Sequence, residues 1–253
     1  MRCGVCLASI PNRWSGSSGG AGVSPAGFGN VASQKSPAGR RRHKMPSNTS
    51  HSQNVQTKMK LILASSSPRR AEILREAGFS FEIRAAQVDE TVLPGETAEE
   101  MVSRLAEAKA RVAAARIRPA NENCVVIGAD TSVELNGEIF GKPRDAAHAC
   151  EMLTALSERT HRVLTGLFLL RLPDGVTGSA TESTSVTFAP LVRDEIEAYV
   201  ASREPFDKAG SYAIQGRAGR YIPKIEGCYF NVVGLPLAKL YALLRELGWS
   251  NQE

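Results

Sequence analysis

The sequence predicts an α/β protein built on a mixed sheet rather than a purely parallel one. Three observations predict it. Short apolar runs of strand length alternate with amphipathic stretches that carry helix caps. A tight-turn pair, Asn136-Gly137, joins two of the runs and marks an antiparallel hairpin within that alternation. Hydrophobic residues make up 42% of the 253, enough for a sizeable core. No run approaches the ~18 apolar residues of a membrane span. The stretch Val163 to Leu172 is among the longest, and Gly, Thr and Arg interrupt it.

The formal charge of +5 is unevenly spread. Residues 1–57 hold seven basic residues and no Asp or Glu, which leaves 24 basic and 26 acidic residues for the rest. A basic chain suggests nucleic acid, but here the excess belongs to a Ser-, Gly-, Asn- and Pro-rich segment without hydrophobic periodicity. The expected division is therefore a disordered basic extension over 1–57 and a globular domain over 58–253. Three readings of the extension stay open: a start placed too early, with Met45 or Met59 beginning the protein; an organelle transit peptide; and a basic binding arm. Five cysteines, an odd number, with Cys124 and Cys150 in apolar runs, fit reduced thiols better than a disulfide framework. Cys3 and Cys6 form a single CxxC with no second pair.

Lys60 to Ala64 reads as a short apolar strand. Ser67-Pro68 then opens a helix, with serine at the N-cap and proline at the first helical position, and Gly78 stops it. Phe79 to Ala85 reads as a strand. Thr97 and Glu100 form a capping box before a long helix, with an apolar stripe at Met101, Leu105, Ala108 and Val112. Cys124 to Ile127 is a buried strand that ends in Gly128-Ala129-Asp130-Thr131. Setting Asn136-Gly137 as a hairpin turn pairs 135 with 138 and, further out, 131 with 142. A helix follows from Asp145 to Leu156. Strands come next at His161 to Leu172 and Thr181 to Phe188, with Asp174-Gly175 as the turn. Helices close the chain at Asp194 to Ser202 and at Pro236 to Leu247, the latter with Leu240, Leu244 and Leu247 inward.

Five segments carry chemistry. Ser65-Ser66-Ser67-Pro68-Arg69-Arg70 joins a strand to a helix start, where free amide donors and the helix dipole favour an anion. Two arginines in a first helical turn are unfavourable in isolation, and a bound phosphate would reverse that sign. Val88-Asp89-Glu90 is an acidic loop. Lys109 lies at the margin of the helix stripe. Asp130 ends a buried strand, and the hairpin register brings Lys142 beside it. Asp207 to Gly216 is small, polar and flanked by glycines, which suits close approach of backbone to a ligand or tight turns. Each segment also has a reading without a ligand: a capped surface helix, a solvated loop, a snorkelling lysine, a structural ion pair. Together they supply cations for phosphates (Arg69, Arg70, Lys109, Lys142) and two carboxylates for a hard divalent cation (Glu90, Asp130). No serine–histidine triad and no His/Cys metal spacing competes with them.

These motifs resemble the Maf family, also called septum-formation inhibitor or Maf-like nucleotide pyrophosphatases. The resemblance rests on Leu63-Ala-Ser-Ser-Ser-Pro-Arg-Arg70, Val88-Asp-Glu90, Glu107-Ala-Lys109, Gly128-Ala-Asp-Thr131, Gly141-Lys-Pro143, His161-x-Val-x-Thr-Gly166, the 207–216 segment, Ile225-Glu-Gly227 and Asn231-Val-Val-Gly-Leu-Pro236. It covers about residues 60–248. It implies a long mixed sheet flanked by helices, with two lobes around a central cleft, similar to inosine triphosphate pyrophosphatase. It implies hydrolysis of a nucleoside triphosphate to a monophosphate and pyrophosphate, with Asp130 as the proton acceptor. The oxygen ligands beside phosphates point to Mg²⁺ or Mn²⁺, held by Glu90 and Asp130. Lys109 and Lys142 would surround the phosphates, and Ser65, Ser67, Arg69 and Arg70 would bind them. Arg69, Thr131 and Gln215 match the specificity positions of the branch acting on dTTP and UTP. A glutamine amide both donates and accepts, which suits a pyrimidine edge. A branch acting on 7-methyl-GTP and a nucleotide-binding regulator of septation are the alternatives. A homodimer is the family expectation. The near-neutral charge of 58–253 and the lack of a long apolar run add the expectation of a cytoplasmic protein that engages neither nucleic acid nor membrane.

Overall fold

The computed structural model describes residues 59–118 and 122–250. The extension over 1–57, with Cys3 and Cys6, lies outside the described residues. The fold starts with strand β1 (Lys60–Leu63), which runs parallel to β2 (Phe81–Ile83) on one side and to β3 (Cys124–Leu135) on the other. Between β1 and β2 lies helix α1 (Pro68–Glu76), and between β2 and β3 helix α2 (Ala98–Ala114). Beyond β3 the pairing turns antiparallel. β4 (Glu138–Phe140) folds back on β3 as the hairpin. The long strands β5 (Thr160–Leu172) and β6 (Thr177–Thr187) follow, and β7 (Lys224–Glu226) closes the edge. The sheet has seven strands in the order β2-β1-β3-β5-β6-β7, with β4 on β3, and it is mixed as expected. Helices α3 (Ala146–Leu156), α4 (Arg193–Ala201), α5 (Tyr229–Val233) and α6 (Leu237–Glu246) complete the fold. Among the described residues no helix is long and apolar enough to cross a membrane.

Local sequence explains most element ends. Asn136 and Gly137 both have positive φ, 54° and 86°, the pair of values that a two-residue turn needs. Thr97 accepts from the Glu100 amide, and Glu100 accepts from the Thr97 amide, which closes the capping box. Gly78 follows α1 with φ 77°. Ser67 stands at the N-cap of α1 but makes no side-chain cap bond.

Four expectations need correction. The strand read over Phe79 to Ala85 narrows to Phe81–Ile83, which is all that β1 can pair. Asp130 does not end a strand. β3 is 12 residues long and runs on past it to Leu135, because β5 pairs it continuously from Cys124↔Leu172 to Glu134↔Arg162. The hairpin pairing does not reach 131 and 142. It stops at Val133↔Phe140. The buried stripe of α2 is rotated from the expected one: Val102, Ala106, Lys109, Ala110 and Ala113 are buried, whereas Ala108 and Val112 are only half-buried.

The reason for that rotation lies on the sheet. A Cβ added to Gly128 would stand 2.0 Å from the Ala106 carbonyl oxygen, and one added to Gly166 would stand 2.3 Å from the Val102 carbonyl oxygen. Two glycines on neighbouring strands thus let the backbone of α2 rest on the sheet, and they select the helix face that meets it. Lys109 is turned inward as a result.

The hydrophobic core is divided. One cluster packs α1 and α6 against Val125, Ile127, Ala129, Leu167 and Leu169. Another packs α3 and α4 against Val133, Leu135, Val163 and Val186. On β3 and β5 the two are separated by the paired residues Thr131 and Thr165, whose hydroxyls bond at 2.9 Å. Thr165 also donates to the Asn231 carbonyl, and the fully buried Asn231 amide reaches the Val163 carbonyl and the Thr184 hydroxyl, each at 2.9 Å. This polar seam separates the two apolar clusters.

His161 sits in the second core, 1% exposed, with Nε2 2.7 Å from the Tyr212 hydroxyl and no partner for Nδ1 among the described residues. Burial lowers its pKa to about 4. A free histidine titrates near 6.5, so between these values the unfolded chain binds the proton and the folded one does not. Stability is then fully present above about pH 6.5 and is lost as pH falls toward 4. Between pH 7 and pH 5 this single group removes about 2 kcal/mol. Urea midpoints measured across that range in wild type and His161→Gln check it: the slope of stability against pH should flatten in the variant.

Candidate active site

β5 covers one edge of β3 throughout, but the other edge is shared. β1 pairs it only up to Ile127, and β4 begins only at Val133. Among the described residues no strand neighbours 128–132 on that edge. A cleft of about 530 Å³ opens there. Consecutive side chains of a strand point to opposite faces. At this gap both faces are accessible, so Asp130 and Thr131 line the same cleft although they project from opposite sides of the sheet.

On one face, Asp130 and Lys109 are both buried, at 7% and 8% exposure, and the Lys109 ammonium donates to Asp130 Oδ1 at 2.6 Å. The same ammonium donates to Glu90 Oε1 at 2.6 Å, from a loop that is half open to solvent. Burial draws the Glu90 carboxyl upward, but the Lys109 bond and charge, with Lys142 and Arg70 behind them, outweigh it and hold it below the usual glutamate range. Glu90 therefore stays ionised at neutral pH. Lys142 lies 3.9 Å from Glu90 Oε2, largely in solvent. The expected Asp130–Lys142 neighbourhood is thus corrected: the hairpin ends too early to bring Lys142 alongside, and Lys109 is the partner of Asp130.

On the other face, Arg70 is buried and braces three segments. Its Nε donates to the Gly234 carbonyl at 2.8 Å, Nη1 to Ser65 Oγ at 3.0 Å, and Nη2 to Thr131 Oγ1 at 2.9 Å. These acceptors offset what burial, its largest perturbation, costs the guanidinium. Arg70 holds the serine loop against β3. Ser65 Oγ also accepts from the Ser67 amide at 3.2 Å, so the loop is folded around it. Arg69, one residue earlier, pairs instead with the exposed Asp207 at 3.2 Å. Two arginines that looked alike in sequence thus have different environments.

All ten residues singled out by sequence line this cleft: Ser65, Ser67, Arg69, Arg70, Glu90, Lys109, Asp130, Thr131, Lys142 and Gln215. Sequence reasoning placed no weight on Asp207, the counter-ion of Arg69, or on the apolar wall formed by Met101, Leu105, Ile139, Tyr212 and Ile214. Asp207 stood within a quoted motif, but nothing local links it to a residue 138 positions away.

The sequence profile described as "Maf-like protein" matches residues 60–247, which takes in every one of these side chains. The chain belongs to the Maf family. Its relatives include a dTTP/UTP pyrophosphatase of Carboxydothermus hydrogenoformans, 48% identical over 191 residues, 76% of this chain and 100% of that one. A dTTP/UTP pyrophosphatase of an Anaeromyxobacter species is 50% identical, over 75% of this Maf chain and 90% of its own. Among solved structures, the Ham1 protein of Staphylococcus aureus aligns with a TM-score of 0.44 at 19% identity, over 74% of this chain and 99% of that one, too slight a likeness to add to the fold described above.

Proposed function

We propose that residues 58–253 form a nucleoside triphosphate pyrophosphatase that hydrolyses dTTP and UTP to the monophosphate and pyrophosphate. The observation that carries this reading is the meeting, in one cleft, of a buried carboxylate–lysine pair and a helix start bearing Arg69. Relatives named for that activity, nearly half identical over most of their length, support the substrate.

The chemistry follows from the residues. The triphosphate lies against the serine loop, where the free amides at the start of α1 and the hydroxyls of Ser65 and Ser67 face its oxygens. Arg69 leaves Asp207 for a phosphate, which carries more charge and offers a fork-shaped acceptor. Asp130 accepts the proton of a water that attacks the α-phosphorus. Lys109 and Lys142 neutralise charge as the bond to the leaving pyrophosphate breaks. Arg70 keeps Ser65 and Thr131 in register with one another. Gln215, exposed on the far wall, reads the pyrimidine edge by donating and accepting at once.

The reading includes a divalent cation, Mg²⁺ or Mn²⁺. Glu90 and Asp130 both reach the Lys109 ammonium at 2.6 Å, so they are near enough to share one cation. Among the described residues no third His, Cys, Asp or Glu joins them, which leaves the rest of the shell to phosphate and water oxygens. Oxygen donors alone suit a hard ion. When bound, such an ion polarises the phosphate and makes a neighbouring water more acidic. A homodimer in the cytoplasm remains part of the same proposal.

The test is pyrophosphate release from dTTP, UTP, CTP, dGTP, ITP and 7-methyl-GTP with Mg²⁺ or Mn²⁺. Release should be fastest from dTTP and UTP. Activity confined to 7-methyl-GTP would keep the reaction and refute the substrate.

A further inference from the structure

The loop that carries Gln215 is fastened at both ends to one side-chain pair. On its entry side, the Ala213 amide donates to the Tyr199 hydroxyl at 3.2 Å. That hydroxyl donates in turn to Glu204 Oε1 at 2.9 Å. On the exit side, the Arg217 amide donates to both Glu204 oxygens, at 3.0 and 3.2 Å. Gly216 leaves room for the carboxylate: a Cβ there would stand 2.0 Å from Glu204 Oε1. Tyr199 is 1% exposed on α4, and neither Tyr199 nor Glu204 lines the cleft, whereas Ala213, Ile214 and Gln215 do.

We propose that Tyr199 and Glu204 are positioning residues for nucleobase selection, acting on the base through Gln215. A glutamine amide presents its donor and its acceptor in an order set by how it is turned. It tells a pyrimidine with a 4-oxo group from one with a 4-amino group only while its backbone is held. The buckle holds three residues, Ile214 to Gly216, by amide bonds just outside them, and one of its acceptors is a charged carboxylate, the stronger kind. This inference rests on Gln215 being the base-reading residue.

The experiment measures kcat and KM for dTTP and dCTP in wild type, Tyr199→Phe, Gln215→Ala and the double variant, with thermal unfolding alongside. Tyr199→Phe keeps the ring and removes the hydroxyl that links Ala213 to Glu204. The dTTP:dCTP ratio of kcat/KM should fall about tenfold, the usual scale for a lost bond in a charged network, and mostly through KM. In the Gln215→Ala background the same change should do nothing further to the ratio. Glu204→Gln, which still offers an acceptor to the Arg217 amide, should retain most of the selectivity, and Glu204→Ala should lose it. Should Tyr199→Phe not fold, that glutamate pair decides in the same way. A collapsed ratio in Gln215→Ala with an unchanged one in Tyr199→Phe overturns the inference and leaves the base reading standing. Additive losses in the double variant overturn it too. An unchanged ratio in Gln215→Ala removes the base reading itself, and the inference with it.

Discussion

Replacing Asp130 with asparagine should lower turnover of dTTP on the order of 10³-fold while leaving the fold intact. Asp130 lies in the stretch of β3 that no strand among the described residues pairs on one edge, so its carboxylate faces the cleft instead of packing beneath a neighbouring strand. Asparagine has nearly the same shape, and its amide oxygen can still accept from Lys109, the contact that aspartate makes at 2.6 Å. What it cannot do is take a proton from water. KM should therefore change little and kcat should carry the loss, the pattern of an interaction made only in the transition state. Steady-state kinetics with a thermal unfolding control checks this. A loss below about tenfold would reduce Asp130 to a brace for Lys109 and move the proton elsewhere.

Gly128→Ala should destabilise the protein by about 3 kcal/mol or more, at the upper end for an overpacked site. The clash is with backbone: the Ala106 oxygen at 2.0 Å and the Ala110 amide at 3.0 Å, neither of which can swing aside as a side chain does. Relief requires α2 to lift off the sheet. For a domain of this size the melting temperature should drop by roughly 6–12 °C. The same lift draws Lys109 away from Asp130, so activity should fall even well below the new melting point. Gly137→Ala is the matched control. Nothing lies within 4 Å of its Cβ, and its cost should be only the strain of φ 86°. If Gly128→Ala proved no more harmful than that control, the close seating of α2 would be wrong.

The sequence made strands and helices legible where local chemistry decides them. Apolar runs gave β1, β3 and β5, the Thr97–Glu100 box gave the start of α2, and Asn136-Gly137 gave the hairpin with its register near the turn. It did not reveal β7 or α5. Three and five residues are too short for a period, and α5 is held by the Asn231 bonds to Val163 and Thr184, which come from other strands. The facing of α2 was misread for a related reason. Its alanine-rich sequence offers several apolar stripes, and glycines on β3 and β5 choose among them. At the site, the residues that line the cleft were readable, because few side chains suit phosphates and hard cations. The pairings were not. Lys109 rather than Lys142 meets Asp130, Arg70 braces while Arg69 pairs with Asp207, and Tyr199 with Glu204 grips the Gln215 loop. Each of these depends on where a strand stops or a helix turns, which no local spacing records.

The central claim is that this cleft directs water to the α-phosphorus of a pyrimidine nucleoside triphosphate. Hydrolysis of dTTP in ¹⁸O-labelled water, with the products resolved by mass spectrometry, tests it most directly. The account predicts dTMP and pyrophosphate, with the label on the dTMP phosphate. Label in pyrophosphate, or release of dTDP and inorganic phosphate, would contradict it, because attack would then fall on another phosphorus than the one this arrangement is proposed to serve.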